Sequence, residues 1–157
     1  MDTGMSITPC GMYYEEFLVG QKIITPSRTI TETDIVNFAG ISGDYNQMHV
    51  DAVYSVNTAF GERVAHGLLV LSIVSGLAVQ TGVMEKTVLA FREIQDWKFI
   101  KPVLIGDTIH AELEVTETKL LRRISAGSVK IEVKVINQRD DIVMKGDWLV
   151  LIATKPE

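Results

Sequence analysis

The stretch VAHGLLVLSIVSGLAVQTGVM, residues 64–84, runs for 21 residues without a single Asp, Glu, Lys or Arg. That is about the length of a membrane span. Its make-up points elsewhere, because only thirteen of the 21 are apolar and the remainder are His66, Gly67, Ser72, Ser75, Gly76, Gln80, Thr81 and Gly82. A helix apolar on all sides is also what the centre of a globular core requires. The segment therefore reads as a buried helix around which the rest of the chain must wrap, and no membrane partner is expected.

The sequence downstream supplies the wrapping. After Gly82 the hydrophobic period changes from 3.6 to 2: Ile109, Ala111, Leu113 and Val115 alternate with His110, Glu112, Glu114 and Thr116. Val129, Ile131, Val133 and Val135 alternate in the same way with Lys130, Glu132 and Lys134. Strict alternation marks strands with one buried and one wet face, and places His110 on the solvated side. A further strand is expected from about Thr87 to Ile100, stopping at Lys101-Pro102. A last one should run from Ile142 to Ala153, after the turn Gln138-Arg139-Asp140-Asp141. Its Leu149-Val150-Leu151-Ile152 run is apolar on both faces, which suits a central strand.

Upstream, Gly20 to Ile30 is rich in β-branched residues and suggests an extended segment held at an edge by Pro26. Thr31-Glu32-Thr33-Asp34 matches a capping pattern for a helix with Ile35, Val36, Phe38 and Ala39 on its apolar face, and Gly40 is available to end it. Residues 41–50 read as a polar loop, and Asp51 as the cap of a short helix through about Val56. Residues 1–12 read as a flexible arm ahead of one domain, 13–157. The whole is an α+β domain with an antiparallel sheet curled around one helix.

Composition narrows the function classes. The chain has 157 residues, 46% of them hydrophobic, a size that supports one substantial core. Its mean hydropathy is +0.19. A net charge of −5, with no basic cluster, argues against nucleic acid as a partner. The single cysteine, Cys10, has no internal partner, and the first residues lack a basic segment followed by an apolar core, so a reducing cytoplasmic setting is expected.

There is no C-x-x-C, no H-E-x-x-H, no glycine-rich phosphate loop and no G-x-S-x-G elbow, and three histidines at 49, 66 and 110 make a poor metal set. Two other groupings stand out. Ser42-Gly43-Asp44-Tyr45-Asn46-Gln47-Met48-His49 gathers a carboxylate, an amide and an imidazole within six residues. Asp44 and His49 lie out of phase on a helix and can converge only if the segment bends. Converged, they would form a general acid/base pair, the carboxylate partly buried. The plainer alternative is an Asx turn followed by a histidine satisfied in a packed loop. The second grouping is Arg63-Val64-Ala65-His66-Gly67-Leu68-Leu69-Val70-Leu71-Ser72. Gly67 at a helix N-terminus leaves backbone N–H groups open, as an oxyanion hole requires. The alternative has Gly67 serving close packing, His66 as a core histidine and Ser72 bonding its own helix.

In this order the two groupings resemble the MaoC-like dehydratase family, the (R)-specific enoyl-CoA hydratases of the hot dog fold. The resemblance runs from Tyr13-Tyr14-Glu15-Glu16-Phe17 through D-x-N-x-x-H at 44–49 and H-G at 66–67 to Lys101-Pro102-Val103 and Gly106-Asp107. It implies that Asp44 and His49 are the catalytic pair activating one water for syn addition to a trans-2-enoyl thioester. It also implies that Asn46 helps to position them, that the Gly67 N–H stabilises the thioester oxygen, and that Ser72 is a pocket serine. The substrate would be an acyl-CoA with CoA as part of it, no cofactor or metal is implied, and a homodimer or higher homo-oligomer with sites at the subunit interface is expected. One departure is Gln47, where the family usually has proline. Lys119, Arg122 and Arg123 at a hairpin read as solvated. A hot dog thioesterase is the nearest rival, but those often carry an Asp or Glu on the central helix, and 64–84 has none. A non-catalytic acyl-CoA-binding domain of the same fold is the other alternative.

Overall fold

The computed structural model describes residues 11–156, so residues 1–10, with Cys10 and most of the expected arm, lie outside the described part. The chain is already tied down at Met12, whose N–H donates to the Val83 carbonyl at 2.7 Å.

The charge-free stretch forms α4 (Gly67–Gln80). It lies against an antiparallel sheet built from β1 (Lys22–Ile24), β2 (Arg28–Thr29), β3 (Val88–Phe99), β4 (Thr108–Leu121), β5 (Ala126–Asn137) and β6 (Ile142–Ala153). The strand order is β1-β4-β5-β6-β3, with β2 also pairing β4. This is the hot dog arrangement, an α+β fold in which a curled sheet holds one long helix. The alternating residues behave as their period requires. Ile109, Ala111, Leu113 and Val115 of β4, and Val129, Ile131, Val133 and Val135 of β5, are all buried and meet Leu69, Val70, Ile73, Val74 and Leu77 of α4 in one cluster. Truncating a residue such as Leu77 to alanine removes about 2–5 kcal/mol of this packing. β6 lies between β5 and β3, the central place its two-faced apolar run suggested. Pro26 falls between β1 and β2, which both lie at the edge beside β4.

Three features depart from the local pattern. The strand β3 pairs with β6, not with its sequence neighbour β4. Strand order of this kind depends on which long-range pairing closes the core, which no single strand encodes. The helix α1 (Glu32–Ser42) continues past Gly40 and ends at Gly43, whose φ of 76° supplies the left-handed C-cap. Its start is as expected: Thr31 and Asp34 cap each other. The segment 41–50 is not all loop, because α2 (Gln47–Val50) forms a single turn, and α3 (Ala52–Val56) follows with Asp51 Oδ1 accepting the Tyr54 N–H at 2.9 Å.

The sheet covers only one side of α4. Leu68 and Val79 are 61% and 60% exposed, and Ser72, Ser75 and Gly76 lie on the same open face. The outer edge of β3 has no strand partner among the described residues. Val88, Leu89, Phe91, Ile94 and Phe99 of that strand are exposed as well.

Candidate active site

The turn before α4 and the turn before α2 meet, and they bring the separated polar groups together. Ser42 and Gly43 end α1, and the Ser42 Oγ accepts the Asp44 N–H at 3.1 Å. Asp44 Oδ1 accepts the Asn46 N–H at 3.2 Å, an Asx turn that bends the chain as convergence demands. Asn46 then caps α2, its Oδ1 accepting from the Met48 N–H. One turn later comes His49, 7% exposed. The Asn46 side chain thus acts on this site by fixing the helix that carries His49.

His49 Nδ1 lies 2.8 Å from the Val64 carbonyl oxygen. A carbonyl only accepts, so Nδ1 carries the proton and Nε2 is the bare, basic nitrogen. The Val64 N–H returns a bond to the Met48 carbonyl at 3.1 Å, which fastens α2 to the approach of α4. An Arg63–Glu32 ion pair at 2.8 Å ties the same approach to α1.

A third group joins them. His66, the residue before α4, is 2% exposed, and its ring stacks on His49 with centroids 3.8 Å apart and planes 27° apart. A carboxylate oxygen of Asp44 and a ring nitrogen from each histidine lie within 4.8 Å of one another. Spread over the sequence, His49 and His66 gave no sign of this pairing; only the tertiary meeting of the two turns creates it. Three such groups suggest a metal site by residue type, but the ring geometry opposes one. A metal sits in the plane of each imidazole at about 2 Å from nitrogen, and nearly parallel stacked planes do not meet within that reach.

A cleft of about 640 Å³ opens beside the pair, lined by His49, Gly67 and mostly apolar side chains that include Met48, Phe60, Phe99 and Met144. Gly67 is the first residue of α4, where backbone N–H groups have no intrahelical acceptor and the helix dipole favours developing negative charge. A Cβ at Gly67 would stand 2.6 Å from Cε1 of Phe99, so glycine is required for the ring to lie this close. Among the described residues the one cation on the cleft wall, Lys101, is paired with Asp141.

Two expected features differ. Asp44 is exposed in the single chain, not partly buried. Ser72 is not brought to the group: it lies on the open face of α4, and its Oγ donates to the Leu68 carbonyl at 2.8 Å, bonding its own helix.

Farther away, Asp107 is buried and clamps two turns. Its carboxylate accepts from the Leu104 N–H at 3.0 Å, from Gln138 Nε2 at 2.7 Å and from both terminal nitrogens of Arg139 at 2.9 and 3.2 Å. Burial works to raise its pKa, but the bonds from Arg139, Leu104 and Gln138 outweigh it and hold the carboxyl below its ordinary range. The clamp fixes the turn after Val103, whose carbonyl accepts the Ala65 N–H at 2.8 Å beside the site.

Comparison with known proteins places the fold in a family. Protein MaoC of Klebsiella aerogenes is 44% identical over 107 residues, 68% of this chain but only 31% of that protein. The 3-hydroxybutyryl-CoA dehydratase of Methylorubrum extorquens is 32% identical over 146 residues, covering 93% of this chain and 87% of the relative. Among solved structures, a monoamine oxidase regulatory protein from Archaeoglobus superposes with a TM-score of 0.88 at 37% identity, over 96% of this chain and all of the other. The (R)-hydratase PhaJ1 of Pseudomonas aeruginosa gives 0.76 at 35% identity, over 91% and 86%. Residues 16–137 match the model of the MaoC-like domain, and the chain belongs to that family.

Proposed function

We propose that the protein is a hydro-lyase that adds water reversibly to a trans-2-enoyl-CoA to give the (R)-3-hydroxyacyl-CoA. The observation that carries this reading is the 2.8 Å contact of His49 Nδ1 with the Val64 carbonyl oxygen, which assigns the proton to Nδ1. With Nδ1–H held by Val64, Nε2 is the nitrogen left to take a proton, on a ring that brings a nitrogen within 4.8 Å of an Asp44 carboxylate oxygen and that lines the same cleft as the start of α4.

In this mechanism one water is held between Asp44 and His49. His49 Nε2 takes a proton as the water oxygen bonds to C3, the C2–C3 π electrons move toward the thioester, and the resulting enolate oxygen is met by the Gly67 N–H. The imidazolium then returns the proton to C2. Because one group takes and returns it, oxygen and hydrogen arrive on the same face. Asp44 orients the water and faces the charge that His49 carries in passing. The names of the dehydratase and hydratase relatives support this class of reaction.

The lining supports an apolar acyl group. Met48, Phe60, Phe99 and Met144 offer no partner to a second carboxylate, and Lys101 is engaged by Asp141. A second copy of the chain suits the open face of α4 and the free edge of β3, because an exposed apolar edge strand invites pairing. A homodimer joined there would also bury the surface beside the cleft. No helix among the described residues is long and apolar enough to cross a membrane.

Loss of enoyl absorbance from crotonyl-CoA, with free thiol followed in the same sample, tests the reading. Hydration without thiol release is the expected result. Release of CoA would make the protein a thioesterase, and binding without turnover across a panel of acyl-CoA esters would make it a binding domain.

A further inference from the structure

His66 stands at the N-cap of α4 with φ −58° and ψ 133°, yet its side chain makes no cap bond to the helix it begins. The ring turns back across the site instead. Its Nε2 lies 2.9 Å from the backbone carbonyl oxygen of Asp44, which can only accept, so the proton sits on Nε2. Its Nδ1 is then bare, buried and without a hydrogen-bond partner among the described residues. One face of the ring stacks on His49 at 3.8 Å, and Phe38 packs against it at 5.0 Å with a tilt of 56°.

A residue chosen for packing alone would be an apolar one, which leaves no nitrogen orphaned. The histidine retains an unsatisfied acceptor, so its donor is what the site requires. That donor pins the main chain of Asp44, the ring face fixes the plane of His49, and the next residue in sequence is Gly67. One side chain therefore holds in register the carboxylate, the base and the start of the helix.

We propose that His66 is a positioning residue of this site, acting as its Nε2–H tautomer to clamp Asp44 and His49 into the geometry that delivers water. The role rests on the hydratase reading above. His66 touches no reacting atom in it, so its loss is expected in turnover and not in substrate binding. Displacement of a catalytic group by about 1 Å costs on the order of 100-fold.

The experiment compares wild type, His66→Phe and His66→Gln on crotonyl-CoA. His66→Phe keeps an aromatic ring against His49 and removes the donor; kcat is expected to fall about 100-fold with KM within about threefold, and the larger ring at this buried place is expected to lower the thermal midpoint. His66→Gln, whose amide nitrogen reaches about the place of Nε2, is expected to recover to within about tenfold of wild type. A His66→Phe enzyme with kcat within about threefold of wild type overturns the proposal, and so does a change confined to KM.

Nitrogen-15 NMR of the histidine-labelled wild type gives an independent readout should a variant fold poorly. The proposal expects a slowly exchanging proton on Nε2 of His66 and a proton on Nδ1 of His49. A proton on Nδ1 of His66 overturns it. A wild type that hydrates no enoyl-CoA overturns the hydratase reading and this role together, whereas active wild type with equally active His66→Phe removes the role of His66 alone.

Discussion

Replacing Gln47 by proline tests whether the helix that carries His49 begins where the structure places it. Gln47 is the first residue of α2, follows the cap Asn46, and is exposed. Proline is favoured at a first helical position because its fixed φ is already helical and the N–H it lacks is one the helix leaves unpaired. The Asn46 side chain takes the Met48 N–H, so no bond to an amide at 47 is lost. The residue before proline must be extended, and Asn46 has ψ 134°. The Gln47 carbonyl, which accepts the Asp51 N–H at 2.9 Å, is unchanged by the substitution.

With native geometry already compatible, the gain is the reduced entropy of the unfolded chain, about 0.4–1 kcal/mol. In a chain of 157 residues that raises the thermal midpoint by roughly 1–4 °C. Scanning calorimetry at matched protein concentration measures it, since assembly would make the midpoint concentration-dependent. Initial rates taken alongside should stay within about twofold of the parent, the reacting groups being untouched. A midpoint lowered by more than about 2 °C, or a rate lowered tenfold, would refute the placement of the helix start.

Asp44→Asn keeps the acceptor for the Asn46 N–H and should leave the thermal midpoint within about 2 °C of the parent, while turnover falls by about 10²–10⁴. His49→Asn can still donate to the Val64 carbonyl, and its turnover should fall over the same range in the same assay. Gly67→Ala forces the Phe99 ring to move, costing about 1–3 kcal/mol in urea titration. Combined with Phe99→Ala it should cost less than the sum of the two single changes, and strict additivity would mean that the two do not touch. Asp107→Asn should cost about 2 kcal/mol at neutral pH by breaking a buried charge pair whose arginine is half exposed. Because the folded pKa of Asp107 lies below its ordinary 3.8, its contribution is fully present above that value and is lost as pH falls through the folded pKa. Urea titrations at descending pH should therefore show the Asp107→Asn curve falling less than the parent's below about pH 4.

Most of the architecture was legible because local period and core burial coincide. The even spacing from Ile109 to Val115 and from Val129 to Val135 declares which face is buried, and the charge-free run declares what lies beneath. The Asp51 cap and the two-faced apolar run in the last strand were readable for the same reason. The adjacency of β3 to β6 was not, since pairing partners are chosen by the closed sheet as a whole. Gly40 and Gly43 are both possible helix ends by residue type, and only backbone conformation selects the second. At the site, the convergence of Asp44 and His49 followed from five-residue spacing plus a bend. The stacking of His66 on His49 brings together residues 17 apart in the chain, and no spacing rule reaches that far. Ser72 shows the converse: a serine on a helix has its own Leu68 carbonyl within reach, and the structure takes that bond.

The measurement that bears most directly on the account is the stereochemistry of hydration in deuterium oxide, read by proton NMR of the 3-hydroxyacyl product. One base that takes a proton from water and returns it to C2 predicts a single diastereomer, with deuterium at C2 and oxygen at C3 added to the same face and the (R) configuration at C3. Anti addition or a mixture at C2 would contradict the shared placement of Asp44 and His49 on one side of the substrate, and the (S) alcohol would contradict the (R)-hydratase reading.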